Sequence, residues 1–116
     1  MQMTERLNGD VFVLDLKGRL TTMDGGAQLM RDRVTAVLAG GHSKVLLNLA
    51  DVPHIDSCAL GQLAVCKTAA RKANGTVKLF GMTSRVVQLL TITRLTTEFD
   101  TYATEQEALD SFLVTA

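Results

Sequence analysis

The sequence predicts an α/β domain: a mixed sheet of four or five strands with about four helices packed largely on one side. Three observations predict it. Asn8-Gly9-Asp10 lies between two strand-like segments, the strongest short-range signal of an antiparallel hairpin. Beyond the hairpin, apolar runs alternate with segments of 3.6-residue period, which implies parallel strands joined by right-handed crossovers. The chain has 116 residues, 47% apolar and 21% charged, so residues 1–116 read as a single globular domain.

Each element has its own justification. Val11-Phe12-Val13-Leu14-Asp15-Leu16 reads as a strong strand, with a short edge strand near Met3 to Leu7 before it and Gly18 closing the hairpin. Asp24 is expected to cap a helix to about Ala39, whose apolar positions Ala27, Met30, Val34, Val37 and Leu38 keep helical spacing. Gly40-Gly41 ends it. Val45-Leu46-Leu47-Asn48-Leu49 is almost wholly apolar, as a strand covered on both faces should be. Pro53 interrupts the chain, and Asp56 is an N-cap for a helix from Ser57 to about Ala73. Ala59, Leu63, Cys66, Ala70 and Ala73 share one of its faces, and Asn74-Gly75 stops it. Thr76 to Phe80 is the next strand. A third helix covers roughly Ser84 to Thr93, with Val86, Leu89 and Leu90 inward, and a short strand follows near Phe99 to Tyr102. Thr104-Glu105-Gln106-Glu107 has capping-box spacing and opens a last helix with Ala108, Leu109, Phe112 and Leu113 as its apolar face.

Composition excludes several function classes. Twelve basic residues offset twelve acidic ones, so there is no general basic footprint for nucleic acid. One Tyr, four Phe and no Trp leave few platforms for stacked bases. Met1 to Arg6 is polar and lacks an apolar signal core, so no targeting segment is expected. No apolar run approaches the roughly 20 residues of a membrane-spanning helix, so direct membrane insertion is not expected. Cys58 and Cys66, on one helix, would stand about 12 Å apart by helical rise, too far for a disulfide. Free thiols fit a reducing cytoplasm.

The segment from Val45 to Gly61 concentrates the functional interest: a buried strand, a short loop and a capped helix. Open α/β folds place their sites in loops beyond the carboxyl ends of parallel strands. Within it, Asp56-Ser57-Cys58-Ala59-Leu60-Gly61 resembles the Asp-Ser-Ser-Gly-Leu-Gly segment of the STAS domain family of anti-sigma factor antagonists. The resemblance runs along nearly the whole chain. Gly18-Arg19-Leu20 is similar to the family's Gly-Glu-Leu-Asp, and Asn74-Gly75 followed by the strand to Phe80 is similar to its Gly-Gly and strand. Thr83 to Val86 and Leu90 to Leu95 resemble its third helix, and Thr104 to Leu109 its acidic last helix. Cys58 and Ala59 stand where Ser and Gly are usual, Arg19 where Glu is, Thr21 where Asp is, and Arg94 where Gly is.

The resemblance implies a STAS fold and a partner-switching role with no enzymatic activity of the chain itself. It makes Ser57 the phosphorylation site. The unphosphorylated form would bind an anti-sigma factor Ser/Thr kinase and free the sigma factor, and a phosphoprotein phosphatase would reset the cycle. Asp56, Ser57, Cys58, Ala59, Leu60 and Gly61, with Thr21 and Thr22 nearby, would form the partner-binding surface. The same resemblance admits an alternative, a STAS subunit docked on a lipid-transport ATPase complex.

Other chemistries are weaker readings. His54, Asp56 and Ser57 are hydrolase residue types, but no G-x-S-x-G elbow occurs and crowding in sequence gives no triad geometry. His42, His54, Cys58 and Cys66 match no usual zinc spacing, so no metal site is expected. Gly25-Gly26 and Gly40-Gly41 lack the Lys-Ser/Thr of a phosphate loop, and no cofactor is expected. Cys58 near a helix start is a possible reactive thiol, with simple packing the plainer reading.

Overall fold

A computed structural model of the chain describes residues 1–21, 23–94 and 99–114, with residue 114 described by its backbone alone. Five strands and four helices follow one another as β1 (Gln2–Asn8), β2 (Val11–Lys17), α1 (Gly26–Ala39), β3 (Lys44–Asp51), α2 (Ser57–Lys72), β4 (Thr76–Phe80), α3 (Ser84–Ile92), β5 (Thr101–Tyr102) and α4 (Glu105–Val114). The strands form one sheet in chain order, β1-β2-β3-β4-β5. The hairpin is antiparallel with Asn8 opposite Val11, and every later pairing is parallel. Gly9, at φ 64, makes the two-residue turn that this register demands.

Both faces of the sheet are covered, which is why its central strands are so apolar. On one face Leu14, Leu16, Val45, Leu47, Leu49 and Leu79 pack under α1, α2 and α3. On the other, Val11, Val13, Leu46 and Phe80 pack under α4 through Ala108 and Phe112. Lys78 also points to the α4 side, where it is buried. Its ammonium donates to Ser111 Oγ at 2.8 Å and lies 4.5 Å from the Phe112 ring centre and 5.6 Å from that of Tyr102. Two aromatic faces and a hydroxyl replace part of the water such a charge loses on burial.

Some boundaries differ from the sequence reading. Asp24 does not cap α1. Its carboxylate accepts from Thr21 Oγ1 at 2.8 Å, and its own N–H donates back to that oxygen at 3.4 Å, which closes a tight turn. Gly25, at φ 74, becomes the N-cap, because leaving that turn for a helix needs a left-handed residue. Ala73 is the exposed C-cap of α2 rather than part of its buried face. Leu113 is exposed, since α4 crosses only the edge of its apolar cluster and buries Ala108 and Phe112. At the start of α4, Glu107 N–H donates to Thr104 Oγ1 at 3.2 Å, the forward bond of the expected capping box.

One irregularity positions the site. Asp15 pairs with Asn48, but Lys17 pairs with Asp51, so β3 carries one more residue than β2 over this stretch. The Ala50 N–H that this displaces donates to Asn48 Oδ1 at 3.0 Å. Asn48 Nδ2 in turn donates to Asp15 Oδ1 at 2.8 Å.

Candidate functional site

The segment from Asp51 to Ser57 leaves the carboxyl edge of β3 and is pinned at alternate places. Val52 and Ile55 are buried, while Pro53 and His54 between them are exposed. Gly18 N–H donates to Asp51 O at 3.0 Å and Leu20 N–H to His54 O at 3.0 Å. Asp56 N–H returns a bond of 3.4 Å to Leu20 O, which completes a parallel bridge of Leu20 with Ile55. Thr83 Oγ1 donates to Val52 O at 3.4 Å, so the start of α3 holds the same segment from the far side. The loop ahead of Ser57 is therefore a fixed part of the sheet edge.

Asp56 is the N-cap of α2, with extended backbone at φ −102, ψ 171, and its carboxylate accepts from Ala59 N–H at 2.7 Å. This satisfies one of the orphan donors of the helix start. Ser57 is the first helical residue and is exposed, as is Cys58 beside it. A phosphate on the Ser57 hydroxyl would stand at the positive end of a sixteen-residue helix. The first turn of α2 holds no acidic residue of its own.

The eight residues expected at the partner surface divide into groups. Ser57, Cys58 and Gly61 are exposed, and Asp56 is partly so. Ala59 and Leu60 face the core, at 0% and 2% exposure, because the apolar face of α2 runs Ala59, Leu60, Leu63, Cys66, Ala70. They shape the surface from beneath and do not form it. Thr21 is buried too, its hydroxyl spent on Asp24, and the bridge of its neighbour Leu20 to Ile55 ties that loop to the segment leading into Ser57. Thr22 lies outside the described residues. Met23, which the sequence offers with Met30 and Met82 as a soft contact surface or as core or loop packing, stands 97% exposed on the same loop, whereas Met30 is buried.

The remaining candidates separate. Both thiols are free; Cys66 is buried, and burial pushes its pKa up to about 12, so it serves as a small core residue. The carbonyl of His54 holds the Leu20 bridge while its side chain is exposed. Among the described residues no three His, Cys, Asp or Glu side chains converge as metal ligands, and no helix is long and apolar enough to cross a membrane.

Comparison with known proteins follows the same outline. The family model for the STAS domain matches residues 2–108. A candidate anti-sigma factor antagonist from Thermotoga maritima superposes with a TM-score of 0.85 at 26% identity, over 94% of this chain and 92% of that one. An anti-sigma factor antagonist from Mycobacterium paratuberculosis gives 0.83 at 20% identity, over 95% and 92%. The Bacillus cell fate determinant SpoIIAA, in its phosphorylated form, gives 0.70 at 17% identity, over 96% and 99%. The last two likenesses are of fold. No curated protein matches the sequence.

Proposed function

Because the chain belongs to the STAS domain family, we propose that it acts as an anti-sigma factor antagonist in a bacterial partner-switching pathway. Unphosphorylated, it binds a cytoplasmic anti-sigma factor that is also a Ser/Thr kinase. Phosphorylation of Ser57 releases it, and a phosphoprotein phosphatase restores the binding form. The chain supplies a surface and an acceptor hydroxyl; the partners supply the chemistry.

The observation that carries this reading is the placement of Ser57: an exposed residue at the first turn of α2, directly after a loop tied to both neighbouring segments. Phosphate adds about 1.5 to 2 negative charges at neutral pH. The free N–H groups and dipole of the helix start accommodate that charge, so the fold persists. A partner covering the same surface would have to desolvate the dianion, and so binds the modified form poorly. The switch then changes recognition and leaves the architecture alone.

The test is paired capture from native lysate with wild type and Ser57→Asp as baits, and identification of the bound proteins by mass spectrometry. A Ser/Thr kinase held by wild type and lost with Ser57→Asp is the expected result. Equal capture of partners by both baits, or capture of a transport ATPase, would overturn the phospho-switch.

A further inference from the structure

We propose that Asn48 is a positioning residue for the Ser57 loop, held in its working orientation by a polar relay that begins on α4. This rests on the reading of Ser57 as the acceptor. The links are continuous. Glu105, the first residue of α4, accepts from Arg6 of β1, with one of the two bonds at 2.9 Å, and also from Asn8 Nδ2 at 3.1 Å. Arg6 then clasps Asp15 of β2 through two bonds, at 2.7 and 3.2 Å. Asp15 accepts from Asn48 Nδ2, and Asn48 Oδ1 accepts from Ala50 N–H.

The chemistry makes the relay directional. An amide has a donor end and an acceptor end, and nothing in its own shape prefers either way round. The Asp15 carboxylate accepts only, so it turns the NH2 of Asn48 towards itself and leaves the oxygen for Ala50. Arg6 keeps Asp15 ionised, its guanidinium holding that carboxyl below its usual range. Asn48 thereby satisfies the backbone donor at the one place where β3 carries an extra residue. That extra residue sets where β3 ends: Asp51, next along, takes Gly18 N–H, and the segment to Ser57 is hung from that point. Without Asn48 Oδ1, the bulge has no internal partner for Ala50 N–H, and the strand end can slip in register.

The experiment is amide NMR with hydrogen exchange on the full chain, comparing wild type, Asn48→Ala, Asn48→Asp, Asp15→Asn and the double variant Asp15→Asn/Asn48→Asp. In Asn48→Ala, Ala50 N–H should exchange about tenfold faster, as for loss of one net hydrogen bond. The Ser57 and Cys58 amide resonances should move, while Leu47 and Leu79 amides stay protected as the control for folding. Asn48→Asp should disturb the same amides by setting two carboxylates face to face. The double variant reverses the donor and acceptor and should restore them. Ser57 and Cys58 resonances that stay in place in Asn48→Ala, or a double variant no better than its parents, would overturn the proposal. These readouts need no kinase, so failure of the relay is distinguishable from failure of the phospho-switch.

Discussion

Replacing Gly61 by Ala should raise the stability of the protein and lower its affinity for its partner. Gly61 is an interior residue of α2 and is exposed. A methyl group built there meets no atom within 4 Å. The fold therefore loses nothing by the change, and the helix gains the difference in backbone entropy, about 0.5–1 kcal/mol. For a domain of this size that is an increase in Tm of a few degrees, roughly 2–5 °C. A partner packed against the start of α2 meets the same methyl as an intrusion. Overpacking of one methyl costs about 1–3 kcal/mol, or at least about fivefold in Kd. Thermal unfolding measures the first effect, and titration of the captured kinase the second. Two results would refute the reasoning: a lower Tm would mean that the exposed face of α2 is covered in solution, and an unchanged Kd would remove Gly61 from the contact surface.

Other predictions concern the supports of the site. Asp56→Ala should lose about 1 kcal/mol in denaturant unfolding, whereas Asp56→Asn, which keeps an acceptor for Ala59 N–H, should lose only a few tenths. Leu60→Ala should cost about 3 kcal/mol, the price of a cavity under Ser57, and any loss of binding should track the unfolded fraction. Arg94 sits at φ 61, so Arg94→Gly should gain about 1 kcal/mol in the same assay. Arg6 depresses the carboxyls of both Asp15 and Glu105. Their stabilisation is present above their unfolded pKa values of about 4 and is lost as pH falls through the lower folded values. Arg6→Met should therefore be less stable at neutral pH and show a smaller further loss on acidification, read by denaturant unfolding across the acid range.

How much of this was legible beforehand depends on the range of each signal. The hairpin, the parallel strands and the cap at Asp56 are local patterns, and the structure has them where the periodicity and turn residues indicate. The run Val45 to Leu49 could be read as doubly covered because alternation was absent, and α4 is the element that covers its second face. Leu60 is placed at the surface by the motif resemblance alone; its position beside buried Ala59 and three residues before buried Leu63 puts it on the core face of α2. Asp24 has the right residue type for a cap, yet Thr21 claims its carboxylate three residues away. The Arg6–Glu105 contact joins residues 99 apart, and no window along the chain reveals such a pair. Ser57 stood out only by comparison with a known pattern, since a serine at a helix start is ordinary on physical grounds.

The order of the sheet has a consequence for how the chain is made. Spatial order repeats chain order from β1 to β5, so each strand is added at an edge that already exists. Emerging amino end first from a ribosome, the hairpin can close on its two-residue turn, and β3, β4 and β5 can then dock in succession. No finished pair has to reopen to admit a latecomer. The α4 face stays uncovered until the end, so Val13, Leu46 and Phe80 face water until the last helix arrives. A nascent chain stalled before Glu105 would thus present a nearly complete sheet with one greasy side, the form in which this protein is most prone to be taken up by a chaperone.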